Sequence, residues 1–210
     1  MTVSVVIPAY NEEKYISGVL APLQGIEAIR EVIVVSDGST DNTVSEAKKW
    51  NVAIINIEHN IGKGGAMYAG FKAAKEDYIL FLDADLIGLK REHILSLILP
   101  VINDEADMTL GIFGQGRIKT DLAQIIAPSL TGQRCINKKW FYDFKTWADA
   151  GFGVETALTY FAMQKGIRIK NVNLPEMTHI TKEEKYGFVR GFAYRLKMYW
   201  EIMKKVRTGV

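Results

Sequence analysis

Two carboxylates one residue apart, Asp83 and Asp85, close an uninterrupted apolar run, Tyr78-Ile79-Leu80-Phe81-Leu82. A short run of aromatic and branched residues reads as a strand buried on both faces. Unpaired carboxylates are costly to bury, so the pair belongs where the strand emerges. In an open parallel sheet, ligands bind at the carboxyl ends of the strands. Two hard oxygen donors there suit Mg²⁺ or Mn²⁺ held against phosphates; the bland alternative is a polar strand-to-loop turn. Three other stretches offer matching chemistry. Asn60-Ile61-Gly62-Lys63-Gly64-Gly65-Ala66 sets a lysine among glycines at a helix start, a setting for anionic phosphate. Asp37, within Ser36-Asp37-Gly38-Ser39-Thr40-Asp41, can accept from a base N–H or a ribose hydroxyl. Pro8-Ala9-Tyr10-Asn11-Glu12 offers backbone amides at a helix start. Base, ribose, diphosphate and metal together make a nucleoside diphosphate. Each loop alone is an ordinary connector; their succession after consecutive strands is what argues for a site.

The elements that must position these loops follow from periodicity. Apolar runs over 2–7, 32–35, 53–57 and 78–82 read as strands. Between them lie helical patterns. Asn11 is placed to cap a helix burying Ile16, Val19, Leu20 and Leu23. A second helix turns Val44 and Ala47 inward, and a third aligns Met67, Phe71 and Ala74. Strict alternation predicts an α/β fold: one Rossmann-like, mostly parallel sheet with helices on both faces. Beyond Asp85 the rhythm changes. A helix is predicted over 92–99, ending near Pro100, then a strand over 107–111. Residues 114–131 are polar and irregular, and an aromatic stretch carries Trp140, Phe141, Tyr142, Phe144 and Trp147. A helix with Val154, Leu158 and Phe161 on one face follows, then a strand over 167–174 and Met177-Thr178-His179 after Pro175. Two familiar phosphate motifs are missing. Gly62-Lys63-Gly64-Gly65 lacks the P-loop spacing, and no Gly-x-Gly-x-x-Gly follows the first strand.

The 210 residues suit a single α/β domain, divided into a nucleotide-binding half (1–90), an acceptor and sugar half (91–180) and a basic amphipathic helix (181–210). A net charge of +2 gives no sign of nucleic acid. One cysteine, Cys135, excludes an intramolecular disulfide and fits a reducing compartment. Met1 leads directly into a strand-like segment, so no leader is expected and the expected location is the cytoplasm, with the inner face of the membrane as the alternative. That alternative comes from the last segment. Phe188, Phe192, Leu196, Tyr199, Met203 and Val206 recur at three and four residues, amid eight Lys or Arg and three Glu from Lys182 onward. The protein's own sheet, a second subunit (a homodimer) or, as a peripheral contact, an anionic membrane could cover this stripe; folding back or dimerising is the favoured reading.

The four loops, in this order, resemble the four signatures of family 2 glycosyltransferases of the GT-A fold, over residues 2 to about 90. The resemblance implies transfer of a sugar from a UDP- or GDP-sugar, usually with Mg²⁺ or Mn²⁺, to a small-molecule or lipid acceptor. It implies nucleotide contacts from Pro8, Ala9, Tyr10, Glu12, Asp37 and Lys63, with Asp83 near the ribose or metal and Asp85 ligating the metal. Ser36 stands where the family often has a second Asp, which weakens a base contact. The second half is similar to glucosyl-3-phosphoglycerate and mannosyl-3-phosphoglycerate synthases in Leu130-Thr131-Gly132-Gln133-Arg134, in Gly151-Phe152-Gly153-Val154-Glu155 and in His179. By that likeness His179 completes the metal site, and Glu155 is the carboxylate placed near the acceptor. Thr131, Gly132 and Arg134 become acceptor-side candidates; Arg134 either binds an anionic acceptor or is a solvated loop cation. Glu155 would act as base if the anomeric centre inverts, and would hold the sugar or acceptor if configuration is retained. Rival readings are a nucleotidyltransferase, a phosphatase of the haloacid dehalogenase type and a nucleotide-sugar-binding protein without turnover. The first lacks its Gly-rich loop after strand one; the second lacks the Gly-Thr or Gly-Val that usually follows Asp-x-Asp.

Overall fold

The structure, a computed structural model, describes residues 1–113, 131–147 and 153–179, with the backbone alone for His179. The predicted helix over 181–210, Gly151, Phe152 and most of the irregular 114–131 stretch lie outside the described residues.

Seven strands form one mixed sheet: β1 (Val3–Ala9), β2 (Ile29–Asp37), β3 (Ala53–Ile57), β4 (Tyr78–Phe81), β6 (Met108–Phe113), β7 (Arg134–Asn137) and β8 (Ile169–Leu174). Their order is β3-β2-β1-β4-β7-β6-β8. β3, β2, β1 and β4 run parallel, β7 is antiparallel to both β4 and β6, and β8 is parallel to β6. A small second sheet pairs β5 (Leu86–Ile87) with β9 (Thr178–His179).

Alternation along each strand divides the core. Val3, Val5, Ile7, Val32, Val34, Leu80 and Leu82 face one cluster, with α1 (Ile16–Leu20), α2 (Thr43–Ala47) and α4 (Arg91–Ile102). Val6, Ile33, Val35, Ile79 and Phe81 face the other, with α3 (Lys63–Ala73), α5 (Val154–Gln164) and the aromatic stretch. Side chains on a strand alternate between faces, so a wholly apolar strand needs a helix layer on each side. Trp147 is the largest buried side chain of the second cluster, packed against the rings of Tyr68, Phe71, Phe81 and Phe144.

Three local expectations change. Asn11 does not cap α1. Its backbone is left-handed (φ 57°), and its Oδ1 accepts the N–H of Thr40 at 2.8 Å, joining the β1 loop to the β2 loop. The helix begins only at Ile16. α4 does not end at Pro100 but runs two residues past it. Pro100 removes one intrahelical bond in the last turn, and its ring is buried on the core side of the helix. Finally, β7 was not anticipated. Arg134-Cys135-Ile136-Asn137 is too short and too polar at its ends to show a period of two.

Candidate active site

β1, β2, β3 and β4 point the same way, so the loops after them share one rim. Because β7 runs antiparallel, residues 131–133, which precede it, reach that rim as well.

The β2 loop anchors the start of α3. Asp37 is buried, and its two oxygens accept the N–H groups of Ile61 and Gly62 at 2.8 and 2.9 Å. Each oxygen keeps a second lone pair for a further donor. Gly38 has a left-handed backbone (φ 71°), and a Cβ there would lie 2.6 Å from the Asn60 nitrogen, so the approach of the two loops needs glycine. The first-turn amides of α3 have no intrahelical acceptor and face the rim with the positive end of the helix dipole. The β1 loop is tied in by Glu12, buried, whose N–H donates to Thr43 Oγ1 at 2.7 Å. Asp41 accepts from the Thr43 N–H and hydroxyl and from the Glu13 N–H. Tyr10 stands exposed at the end of β1.

Lys63 joins the two halves of the site. Its Nζ lies 2.5 Å from Asp83 Oδ1 and 2.5 Å from Glu155 Oε1. Burial would lower its pKa, but the charges and hydrogen bonds of Asp83 and Glu155 outweigh that and hold it above the ordinary lysine range. Lys63 is therefore held as a cation beside the two carboxylates. Its side chain is still 25% exposed, so it can turn towards an anion at the rim. Glu155 lies in the first turn of α5, as the sequence suggests, and is buried.

Arg134 is not a solvated loop cation. It lies in β7 with no exposed surface, and its Nη1 donates to the Glu155 carbonyl at 3.0 Å and to Thr159 Oγ1 at 3.3 Å. Nη2 donates to the Thr131 carbonyl. Burial draws its pKa down to about 10, against the upward pull of Glu155 and Asp83, which leaves it charged at neutral pH. The fold holds its two terminal nitrogens, while its Nε is buried with no hydrogen-bond partner among the described residues. Thr131 and Gly132 lie beside Asp83, and a Cβ on Gly132 would collide with both Asp83 oxygens. Gln133, which sequence reasoning quoted but assigned no role, donates from Nε2 to Asp83 Oδ2 at 2.8 Å.

The donor chemistry suits a hard divalent cation. Asp83 and Asp85 leave β4 together at the rim. The β5–β9 ladder sets the His179 backbone opposite Leu86, the residue after Asp85. Among the described side chains no group of three or more His, Cys, Asp or Glu is gathered to hold a metal.

The parallel sheet core with an antiparallel strand inserted beside β4 is that of the GT-A glycosyltransferase fold. Residues 4–148 match the family model described as glycosyl transferase family 2, and the chain belongs to that family. Glucosyl-3-phosphoglycerate synthase from Mycobacterium tuberculosis, solved with Mn²⁺, UDP and glucosyl-3-phosphoglycerate, superimposes with a TM-score of 0.74. That match is 25% identical and covers 85% of this chain and 72% of that one. An uncharacterized protein of Methanocaldococcus jannaschii is 37% identical over 51% of this chain and 44% of its own length. A 4,4'-diaponeurosporenoate glycosyltransferase of Staphylococcus haemolyticus is 35% identical over 47% of this chain and 28% of its own length. A dolichyl-phosphate beta-glucosyltransferase of Trichomonas vaginalis is 36% identical over 40% of this chain and 30% of its own length. The chain thus spans less than half the length of these curated relatives.

Proposed function

We propose that this chain transfers a glycosyl group from a nucleoside-diphosphate sugar to an acceptor hydroxyl, with a divalent cation bound. The observation that carries the proposal is Lys63, held between Asp83 and Glu155 at 2.5 Å from each, at the start of α3. The first-turn amides are preorganised for the charge that develops on a departing diphosphate, and Lys63 supplies a cation that can turn to it from the two carboxylates. Asp85, with Asp83 and His179, would hold the cation, which when bound supplies further positive charge to the diphosphate. Asp37 and the loop 8–12 cradle the nucleoside. Glu155 faces the acceptor side and either takes the proton of the attacking hydroxyl or orients the sugar or acceptor. Uridine as the base is supported by the neighbour solved with UDP-glucose and phosphoglyceric acid, and a small anionic acceptor by the same complex. Relatives named for a carotenoid acid and for dolichyl phosphate as acceptors support the lipid alternative.

A thermal-shift panel of UDP- and GDP-sugars with Mn²⁺ tests the reading. A ligand at 100 times its Kd should add about 2.7 kcal/mol of stability, an upward shift of several degrees. A coupled assay should then detect the nucleoside diphosphate once an acceptor is present. No shift with any nucleotide-sugar, or release of inorganic phosphate in place of the diphosphate, would refute it.

A further inference from the structure

We infer that Gln133 is a positioning residue for Asp83, and that the 131–133 segment serves this carboxylate; the inference rests on the reaction proposed above. Gln133 is only 1% exposed, and its amide meets Asp83 Oδ2 at 2.8 Å. The direction in which that amide faces is set by a short polar chain. The Gln133 backbone N–H donates to Thr131 Oγ1 at 3.3 Å, and the Thr131 hydroxyl donates to Gln133 Oε1 at 2.8 Å. With Oε1 committed as acceptor, the NH₂ group turns to Asp83. Gly132 leaves the space in which the carboxylate lies. Arg134 holds the segment from behind through the Thr131 carbonyl and ties it to the first turn of α5 through the Glu155 carbonyl.

The two Asp83 oxygens therefore have different fates. Oδ1 is bound by Lys63, which the proposed reaction draws towards the diphosphate. Oδ2 is bound by the buried Gln133 amide. When Lys63 turns to the donor, Gln133 still holds Oδ2 and helps keep Asp83 aimed at its ribose or metal. A hydrogen bond to a charged carboxylate is among the stronger kinds, and this one comes from a buried donor, so its loss should register in nucleotide affinity.

Calorimetric titration with UDP and with GDP, each in Mn²⁺, tests this on the wild type, Gln133→Met, Asp83→Asn and the double variant. Gln133→Met keeps length and burial and removes the donor. It should weaken the bound nucleotide about tenfold. Added to Asp83→Asn it should cost nothing more, because Gln133 acts through Asp83; a residue that merely supports the fold would give additive losses. Thr131→Val, which removes the hydroxyl that orients the amide, should weaken binding in the same direction and serves if Gln133→Met does not fold. Additive losses, or wild-type affinity in either variant, overturn the inference. The separate failure, in which Asp83→Asn and Lys63→Ala both bind nucleotide like the wild type, overturns the functional reading and the inference with it.

Discussion

At the scale of single residues, the site turns on how Lys63 is shared. A half-buried Asp83 beside a buried Glu155 would repel it, and one cation held above its ordinary pKa offsets both. Lys63→Ala should weaken a nucleoside diphosphate roughly 10–100-fold and the bare nucleoside much less, since the proposed ligand contact of the lysine is with the phosphates. Calorimetry with UDP and with uridine checks this, and equal losses for both would defeat it. Glu155 permits a sharper separation of roles. A carboxylate in the first turn of a helix is worth about 0.3–1 kcal/mol to the helix dipole. If that and its ion pair with Lys63 were its whole role, Glu155→Gln would lose a little stability and turn over nearly normally. The proposed role demands a fall in kcat of about 100-fold or more, with the urea midpoint little changed.

At the scale of elements, α4 carries a titratable cap. His93 is buried in its first turn, and His93 Nδ1 accepts the Lys90 backbone N–H at 3.2 Å. Burial first, and the charge of Lys90 second, hold its pKa below the ordinary 6.5; Glu92 and Glu176 pull weakly the other way. The unfolded chain therefore takes up a proton at a higher pH than the folded one. The cap's contribution is complete above about pH 6.5 and falls as pH drops through that value towards the depressed folded pKa. The urea midpoint of the wild type should decline between about pH 7.5 and 5.5 more than that of His93→Gln, which keeps a hydrogen-bonding side chain without the titration. Parallel declines would show that His93 is not the titrating group.

At the scale of the whole molecule, one antiparallel strand reshapes a parallel sheet. β7 enters between β4 and β6, so residues 131–133 approach the rim from the opposite direction to the loops after β1 to β4. Asp83 is thereby met from both halves of the chain, by Lys63 on one side and Gln133 on the other. The C-terminal stripe belongs at this scale too. Truncation before Lys185 should destabilise the domain or break a dimer, and the intact chain should not float with liposomes, anionic or neutral. Flotation that salt abolishes and the truncation removes, with the remainder still folded by circular dichroism, would make the segment an anionic-membrane contact instead.

The sequence by itself determined the parallel half of the sheet, because strands buried on both faces are written as apolar runs and α3 opens on glycines around a lysine. It also located Asp83 and Asp85 at a strand end, since charge cannot be left inside an apolar run. The tertiary structure alone decided what each side chain touches. Asn11 looked like a cap because Asn caps helices, yet its acceptor went to Thr40, twenty-nine residues away. Arg134 read as either an acceptor-binding residue or a solvated loop cation, because arginine is seldom buried. Inside the fold, three protein oxygens meet its two terminal nitrogens, and the charges of Glu155 and Asp83 favour its cationic form. Gln133 stood in a quoted motif without a role of its own, because an amide acquires one only from the carboxylate it meets fifty residues away in the chain. Periodicity records which face a residue turns to the core; the partner it finds there depends on how distant segments pack.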